Sequence, residues 1–503
     1  RFLILLILIT CAAPGRCEEP MAFEQLLVLF EKKGVLTTDE AETLRKAYIR
    51  ERKPFLGITA SPDEKLPELT AEESMRSSPE DSAIDAADAP LEFIAPDSEL
   101  LWKGTAYEDG FCIAAGDKYF ETLCLEGLLQ ADYRAFDYPG DDPARDKFDI
   151  RRARLGLHGK LTDLFSYKFE YEFEGAGSRR LLDAYLDINL TPQISFRLGQ
   201  FKEPFGLEQL TSDKYLFFAE RSMGFYLTPG RDVGLMAYGA VPGIPVWYGL
   251  GLFNGDGYDD ATGGDEDALE ITSRIFTESR FPDSFGFIDQ LHAGFSASYA
   301  RIDRNNVNLK VKTTGLTNFF QVASSAKFNI IRDAANRVRT SFDLGASFGR
   351  LAVWGERFYM KFQEIETGAN KFSFDLTDTY GAALFMLTGE NVGFTGGKID
   401  SIEPEKPVGR GGWGALGIAL RYDVFEVEES VYDVLVHEGI SVRKADAFTL
   451  ALNWYLNRFF RLIIDATRTD FDRPLLIYHD TRTGEAIYKS REDALTGRLQ
   501  LWF

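Results

Sequence analysis

Histidine and cysteine, side chains often used to move protons or hold metals, are sparse in this chain. The four histidines, His158, His292, His437 and His479, are scattered, and the only suggestive pair is His479 beside Asp480. A hydrolase needs a nucleophile and a base brought to one place. No nucleophile motif accompanies that pair, so no catalytic residue is assigned. Cys11, Cys17, Cys112 and Cys124 form neither a CxxCH haem motif nor a paired CxxC metal motif. The acidic stretch 254–267 departs from EF-hand spacing and reads as a solvated loop. No cofactor and no metal site is expected. What remains is electrostatics. In 150–159 (IRRARLGLHG), Arg152 and Arg154 share one phase with Gly156 and His158, while Ala153, Leu155 and Leu157 take the other. In 165–174, Lys168 lies in phase with Ser166, Glu170, Glu172 and Glu174, and Phe165, Tyr167, Phe169, Tyr171 and Phe173 oppose them. Successive side chains of a strand point to opposite faces. The chemistry on offer is therefore a file of charged groups along one face of a wall, the arrangement that selects ions at the narrow part of a pore. A second reading has Arg152 and Arg154 pairing with Glu170, Glu172 or Asp187 and stiffening that wall. Arg151 falls on the apolar phase unless a bulge or a position near the rim re-aims it.

The elements that must position these groups recur along the chain. Leu182, Ala184, Leu186, Ile188 and Leu190 alternate with Asp183, Tyr185, Asp187 and Asn189. Leu416, Ile418, Leu420 and Tyr422 do the same, as do Phe448, Leu450, Leu452 and Trp454. Segments of about ten residues suit tilted, membrane-spanning strands. An open sheet edge would leave backbone groups unpaired in lipid, so the sheet must close, rings outward and ions inward. The fold class read here is all-β, an antiparallel transmembrane β-barrel. The aromatic share of 14%, with Phe 41 and Tyr 21 against Met 6, fits girdles at two interfaces. A net charge of -22 argues against a nucleic-acid partner. The last strand, Leu495, Gly497, Leu499, Leu501 and Phe503, resembles the assembly signal of bacterial outer-membrane proteins. That implies the barrel-assembly machinery as a partner through Phe503.

Four regions follow. Residues 1–20 read as a signal peptide with a truncated start, apolar from Phe2 to Ala13 and cleaved; a lipid anchor at Cys11 or Cys17 is the competitor. Residues 21–52 read as a short helical prefix, a periplasmic hairpin or coiled-coil segment. Phe23, Leu26, Leu27 and Phe30 have helical spacing, Gly34 stops the first helix, and Thr37 with Glu40 caps the second. Residues 53–99 form an acidic, disordered linker. Residues 100–503 form the barrel. Cys112 and Cys124 either pair in an oxidising compartment or sit too far apart to bond.

The segments IRRARLGLHG (150–159), RLGQFKEPFGLEQLTS (197–212), FFAERS (217–222), RDVG (231–234), GLFNGDG (251–257), LTGEN (387–391), LRYD (420–423) and LALNWYLN (450–457) resemble the phosphate-selective porin O and P family. The resemblance implies a 16-stranded barrel in the outer membrane, a homotrimer, and a loop folded inward to narrow the pore. Basic residues near the constriction bind the anion in that family. Arg151, Arg152 and Arg221 match such positions, and Asp183 matches a pore-lining acid. With Arg154 and Lys168 these are the candidate pore-lining, anion-binding residues. Cys124, Leu128, Gln209 and Ser166 stand where selective members carry basic residues, and Lys310 and Lys312 fall where those members are arginine-rich. The implied function is passive diffusion of small hydrophilic solutes, anions such as phosphate among them, in contact with outer-membrane lipid. A scaffold barrel anchored by its N-terminal helices, or an outer-membrane hydrolase, is the alternative.

Overall fold

The computed structural model describes residues 110–117, 120–136, 147–174, 180–255, 269–281, 287–302, 309–322, 335–367, 370–431, 441–479 and 484–503. The readings of 1–20, 21–52 and 53–99, most of 254–267, and Asp480 lie outside the described residues. The strands are β1 (Phe111–Asp117), β2 (Phe120–Phe136), β3 (Lys147–Thr162), β4 (Phe165–Glu172), β5 (Leu181–Thr191), β6 (Ile194–Lys202) and β7 (Arg231–Ala240). They continue as β8 (Val246–Phe253), β9 (Glu270–Arg280), β10 (Gln290–Ile302), β11 (Lys310–Lys312), β12 (Asn318–Gln321), β13 (Ala335–Phe348) and β14 (Leu351–Thr367). The last are β15 (Asn370–Met386), β16 (Phe394–Thr395), β17 (Lys398–Ile399), β18 (Ala415–Val427), β19 (Lys444–Tyr455), β20 (Phe460–His479) and β21 (Ala486–Trp502).

Sixteen of these pair antiparallel with their neighbours, β2 through β10, β13 through β15 and β18 through β21, and β21 returns to β2 to close the barrel. Closure removes every sheet edge from the spanning wall. No helix among the described residues is long and apolar enough to cross a membrane, so the strands alone make the wall. Alternation runs as the residue pattern predicts: Leu155, Leu157, Phe169, Leu198, Leu420, Leu450 and Leu499 are exposed outside, while Arg152, Lys168, Asp183 and Arg421 are buried inside. At Arg151 the alternation breaks. Gln130 pairs with Arg152 and Ala131 with Ile150, leaving Arg151 as the extra residue of a bulge. The bulge turns Arg151 inward beside Arg152.

The seam has an additional strand. β21 is followed by Phe503, whose backbone exchanges hydrogen bonds with Gly127. β1 then pairs with β2 from Leu125 to Phe120, continuing in the direction of β21. The rings of Phe111 and Phe503 meet at 5.2 Å, and Gly127 leaves room for the terminal ring, which a Cβ there would strike. Cys112 and Cys124 are disulfide-bonded across β1 and β2, which decides between the two sequence readings.

Three segments fold inside the wall. Residues 203–230, between β6 and β7, cross to the opposite strands and contain a four-residue helix, α1 (Leu207–Leu210), and a 3-10 turn at Met223–Leu227. Gly206 starts α1 at φ 68, a conformation glycine adopts without strain. Residues 387–414, between β15 and β18, enter from the end that carries Phe503 and hold the small β16–β17 hairpin. The β11–β12 hairpin covers the other end, with Thr313 donating to Glu492 of β21.

These insertions change one expectation. Ions do face inward on β2 to β5, but Phe358, Met360 and Phe362 of β14, and Phe374 and Leu376 of β15, also face inward. They pack with Phe205, Leu207, Phe217, Phe218 and Met223 of the 203–230 segment and with Val311, Phe319 and Phe320 of the β11–β12 region. Each such side chain gains about 1.5–3 kcal/mol by leaving water. The interior thus also holds an apolar core that fixes the inward segments to the wall.

Candidate functional site

The 203–230 segment delivers two carboxylates to the arginines of β2, β3 and β21. Glu220 accepts from Arg151 Nε at 2.8 Å, Arg498 Nη2 at 2.9 Å, Arg134 Nη2 at 3.1 Å and Arg152 Nη2 at 3.3 Å. Asp213 lies 2.7 Å from Arg154 Nη1 and 3.3 Å from Arg152 Nη2, and it also accepts from Arg221 Nη1. Burial alone would push both carboxyls up. The guanidiniums around them, led by Arg151 at Glu220 and Arg152 at Asp213, override it and hold both well below the usual carboxylate range. Backbone bonds complete the anchoring: Leu207 N and Glu208 N donate to Glu356, Ala219 N to Asp465, and Met223 N to Asp423. Glu208 accepts from Ser222 N and Oγ and from Arg421.

An open part of the interior is a cavity of about 520 Å³ between β3–β9, the 203–230 segment and residues 395–401. Seven basic residues line it (Arg154, Lys168, Arg197, Lys202, Arg231, Arg274, Lys398) against four acidic ones (Glu170, Asp183, Asp213, Asp400). The chain is strongly acidic overall, so the basic excess is local to the passage. Many of the cations are held by acids. Arg154 pairs with Glu172 at 2.7 Å and with Glu170 at 3.8 Å, Lys168 with Glu126 at 2.7 Å, Arg231 with Asp183 at 2.9 Å, and Arg197 with Asp187 at 2.8 Å. Lys202 Nζ donates to the carbonyls of Leu210 and Thr211. The floor is made by 395–401, where Gly396 N and Gly397 N donate to Glu278, and Ile399 N donates to Thr211 Oγ1 of the first segment.

The six residues singled out from the sequence therefore divide. Arg154, Lys168 and Asp183 line the cavity. Arg151, Arg152 and Arg221 face inward but are engaged by Glu220 and Asp213, with Arg221 also donating to the carbonyls of Glu208 and Thr211. The pairing that the sequence suggested for Arg154 with Glu170 and Glu172 is present; Asp187 holds Arg197 instead, and Arg152 reaches the inward segment. Sequence reasoning missed Glu220 as the hub, together with Arg134 and Arg498. Arg498 had a signal, the inward phase of the last strand; Glu220 had none beyond its place in FFAERS. Lys310 and Lys312 sit in β11 at the covered end, outside the cavity lining. Among the described residues no cluster of three metal-ligating side chains occurs.

A closed sixteen-stranded wall, narrowed from within and lined by ionic side chains, defines a β-barrel channel of the outer membrane. The chain belongs to the phosphate-selective porin O and P family, whose sequence model matches residues 123–503. Porin O of Pseudomonas aeruginosa is 26% identical over 379 residues, covering 69% of this chain and 82% of that protein. An uncharacterized protein of Caulobacter vibrioides is 25% identical over 470 residues, covering 90% of this chain and 88% of its own. Among solved structures, an anion-selective porin from Comamonas acidovorans superposes with a TM-score of 0.46 at 15% identity, covering 76% of this chain and 99% of that one. The chain is thus an outer-membrane channel for passive diffusion.

Proposed function

We propose that the channel passes small hydrophilic solutes with a mild preference for anions, works without any catalytic step, and assembles as a homotrimer. The supporting observation is the lining of the passage, seven basic groups against four acidic ones. A solute exchanges part of its hydration for these charges, and binding stays weak enough for exit because carboxylates hold many of the cations. Arg154, Lys168 and Asp183 are the residues in this reading that meet the solute. Arg151, Arg152 and Arg221 act through the inward segment, setting the width of the passage. Reversal potentials across a potassium chloride gradient test it. Wild-type channels in planar bilayers should favour chloride, and Lys398→Glu should reduce or reverse that preference. Cation preference in the wild type would overturn the reading.

A further inference from the structure

The inner wall carries a second, smaller group of buried apolar side chains, and the strands alone build it. Phe201 of β6, Met236 and Tyr238 of β7 and Phe253 of β8 pack together, with the half-buried Tyr185 of β5 against them. The inward segments contribute no member to this group. In the larger core, by contrast, the rings of β14 and β15 are met by Phe205, Phe217 and Met223 of the 203–230 segment. Tyr185, Phe201, Met236 and Tyr238 all line the cavity of about 520 Å³. Cations are built into the same surface. The Arg197 guanidinium lies 3.8 Å from the centre of the Tyr185 ring, 5.4 Å from that of Phe201 and 5.6 Å from that of Tyr238. Asp187 holds its Nε at 2.8 Å and its Nη2 at 3.0 Å. Lys168 of β4 is the register partner of Tyr185. A ring and a cationic side chain therefore leave the wall one strand spacing apart, about 5 Å.

Small-molecule sites occupy about 300–1,000 Å³, take their shape from apolar and aromatic walls, and fix orientation with a few polar groups. Inorganic phosphate has no apolar surface, so a wall of rings contributes nothing to holding it. A solute with one flat ring and one carboxylate uses both halves of this surface. The ring gains the offset or edge contacts that aromatic pairs favour. The carboxylate, coplanar with its ring, meets a guanidinium or an ammonium. We propose that the preferred solutes of this cavity are aromatic carboxylates, with Tyr185 as the ring contact that discriminates them and Arg197 and Lys168 as the charges that orient the carboxylate. This rests on the channel's anion preference and narrows that preference to one chemical class. The cations already answer to carboxylates of the wall, Lys168 to Glu126 at 2.7 Å and Arg197 to Asp187 at 2.8 Å. That competition keeps the grip on a solute weak enough for it to leave.

The test is chloride current through the full protein in planar bilayers, titrated at neutral pH with benzoate, cyclohexanecarboxylate, acetate and inorganic phosphate. The two ring acids share charge and approximate size and differ in the flat π face. Benzoate should halve the wild-type current at a concentration about fivefold below that of cyclohexanecarboxylate, the advantage of an aromatic pair over plain burial. Acetate and inorganic phosphate should be weaker still. Equal half-blocking concentrations for the two ring acids, or tighter block by inorganic phosphate than by benzoate, would overturn the proposal without reference to any variant. Tyr185→Leu should bring benzoate to the level of cyclohexanecarboxylate and leave block by acetate as it was. Loss of acetate block in the same variant would show that Tyr185 only places Arg197, and would overturn its role as the ring contact. Failure of the broader reading looks different. Cation preference in a potassium chloride gradient removes the anion channel itself, whereas anion preference without a benzoate advantage removes only the aromatic class.

Discussion

Glu220 illustrates how one residue ties an inward segment to the barrel wall. Four guanidiniums converge on it, and all of these groups are largely buried. Removing one partner from a buried, hydrogen-bonded ion cluster costs about 3–5 kcal/mol, because the remaining charges stay desolvated without compensation. Glu220→Gln is therefore expected to lower the thermal midpoint of the folded barrel, read from heat-modifiable migration on gels, and to make single-channel current noisier as the 203–230 segment loosens. Arg468→Ala, which breaks an exposed pair with Asp493, should change stability by under about 1 kcal/mol. Equal effects in the two variants would show that the cluster is not what fixes the segment.

Among the elements, β1 has the simplest mechanical role. It covers the stretch of β2 that β21 leaves unpaired, and a covalent bond between residues twelve apart in sequence holds it there. Closing a loop of that size is worth about 3 kcal/mol in the chain-entropy picture. In Cys112→Ser, trypsin should cut upstream of Phe120 more readily, while β2 to β21 remain protected because β21 still closes the ring. Protection that is the same with and without the disulfide would remove β1 from this role. The elements were also the most legible level of the sequence. Alternation in 165–174, 184–190 and 495–503 gave both the strands and the faces they present, since a period of two cannot be shifted without inverting every side chain, whereas Leu182, read on the outer phase, is buried at a register shift of β5. Arg151 shows the limit: a bulge inserts one residue, so phase counted from Arg152 places Arg151 outside, and only pairing with β2 reveals the slip. The apolar inward faces of β14 and β15 were not legible either. Phe358 and Met360 alternate with Arg357, Tyr359 and Lys361, a pattern whose natural reading puts the rings in lipid; the partners that reverse it come from segments distant in sequence.

Over the whole molecule, ion preference is a sum over the lining and can be moved by a single titration. Asp400, in the inward 387–414 segment, is largely buried. That burial pushes its carboxyl up to about 6, with the nearby Glu278 charge adding to the shift and the Thr395 hydrogen bond and Arg280 opposing it. The sign follows directly. Above about pH 6 the group is charged and counts against anions; below it the proton is bound, and one of the four lining acids falls silent while lysines and arginines stay charged. The chloride-to-potassium permeability ratio should therefore rise between pH 7 and pH 5. Asp400→Asn should show the higher ratio throughout, with a flatter profile. A wild-type ratio that does not move over this range would rule the group out as a contributor. The packed inward segments carry a different consequence. Strand number sets the circumference of such a cylinder, yet the packing of the inward segments on β14 and β15 fills part of it, so circumference alone does not set the room left to a solute. Two relatives with equal strand counts can then differ widely in throughput, and substitutions at Phe358 or Met360, remote from the cavity's lining, should reach its contents by shifting the packed filling between them.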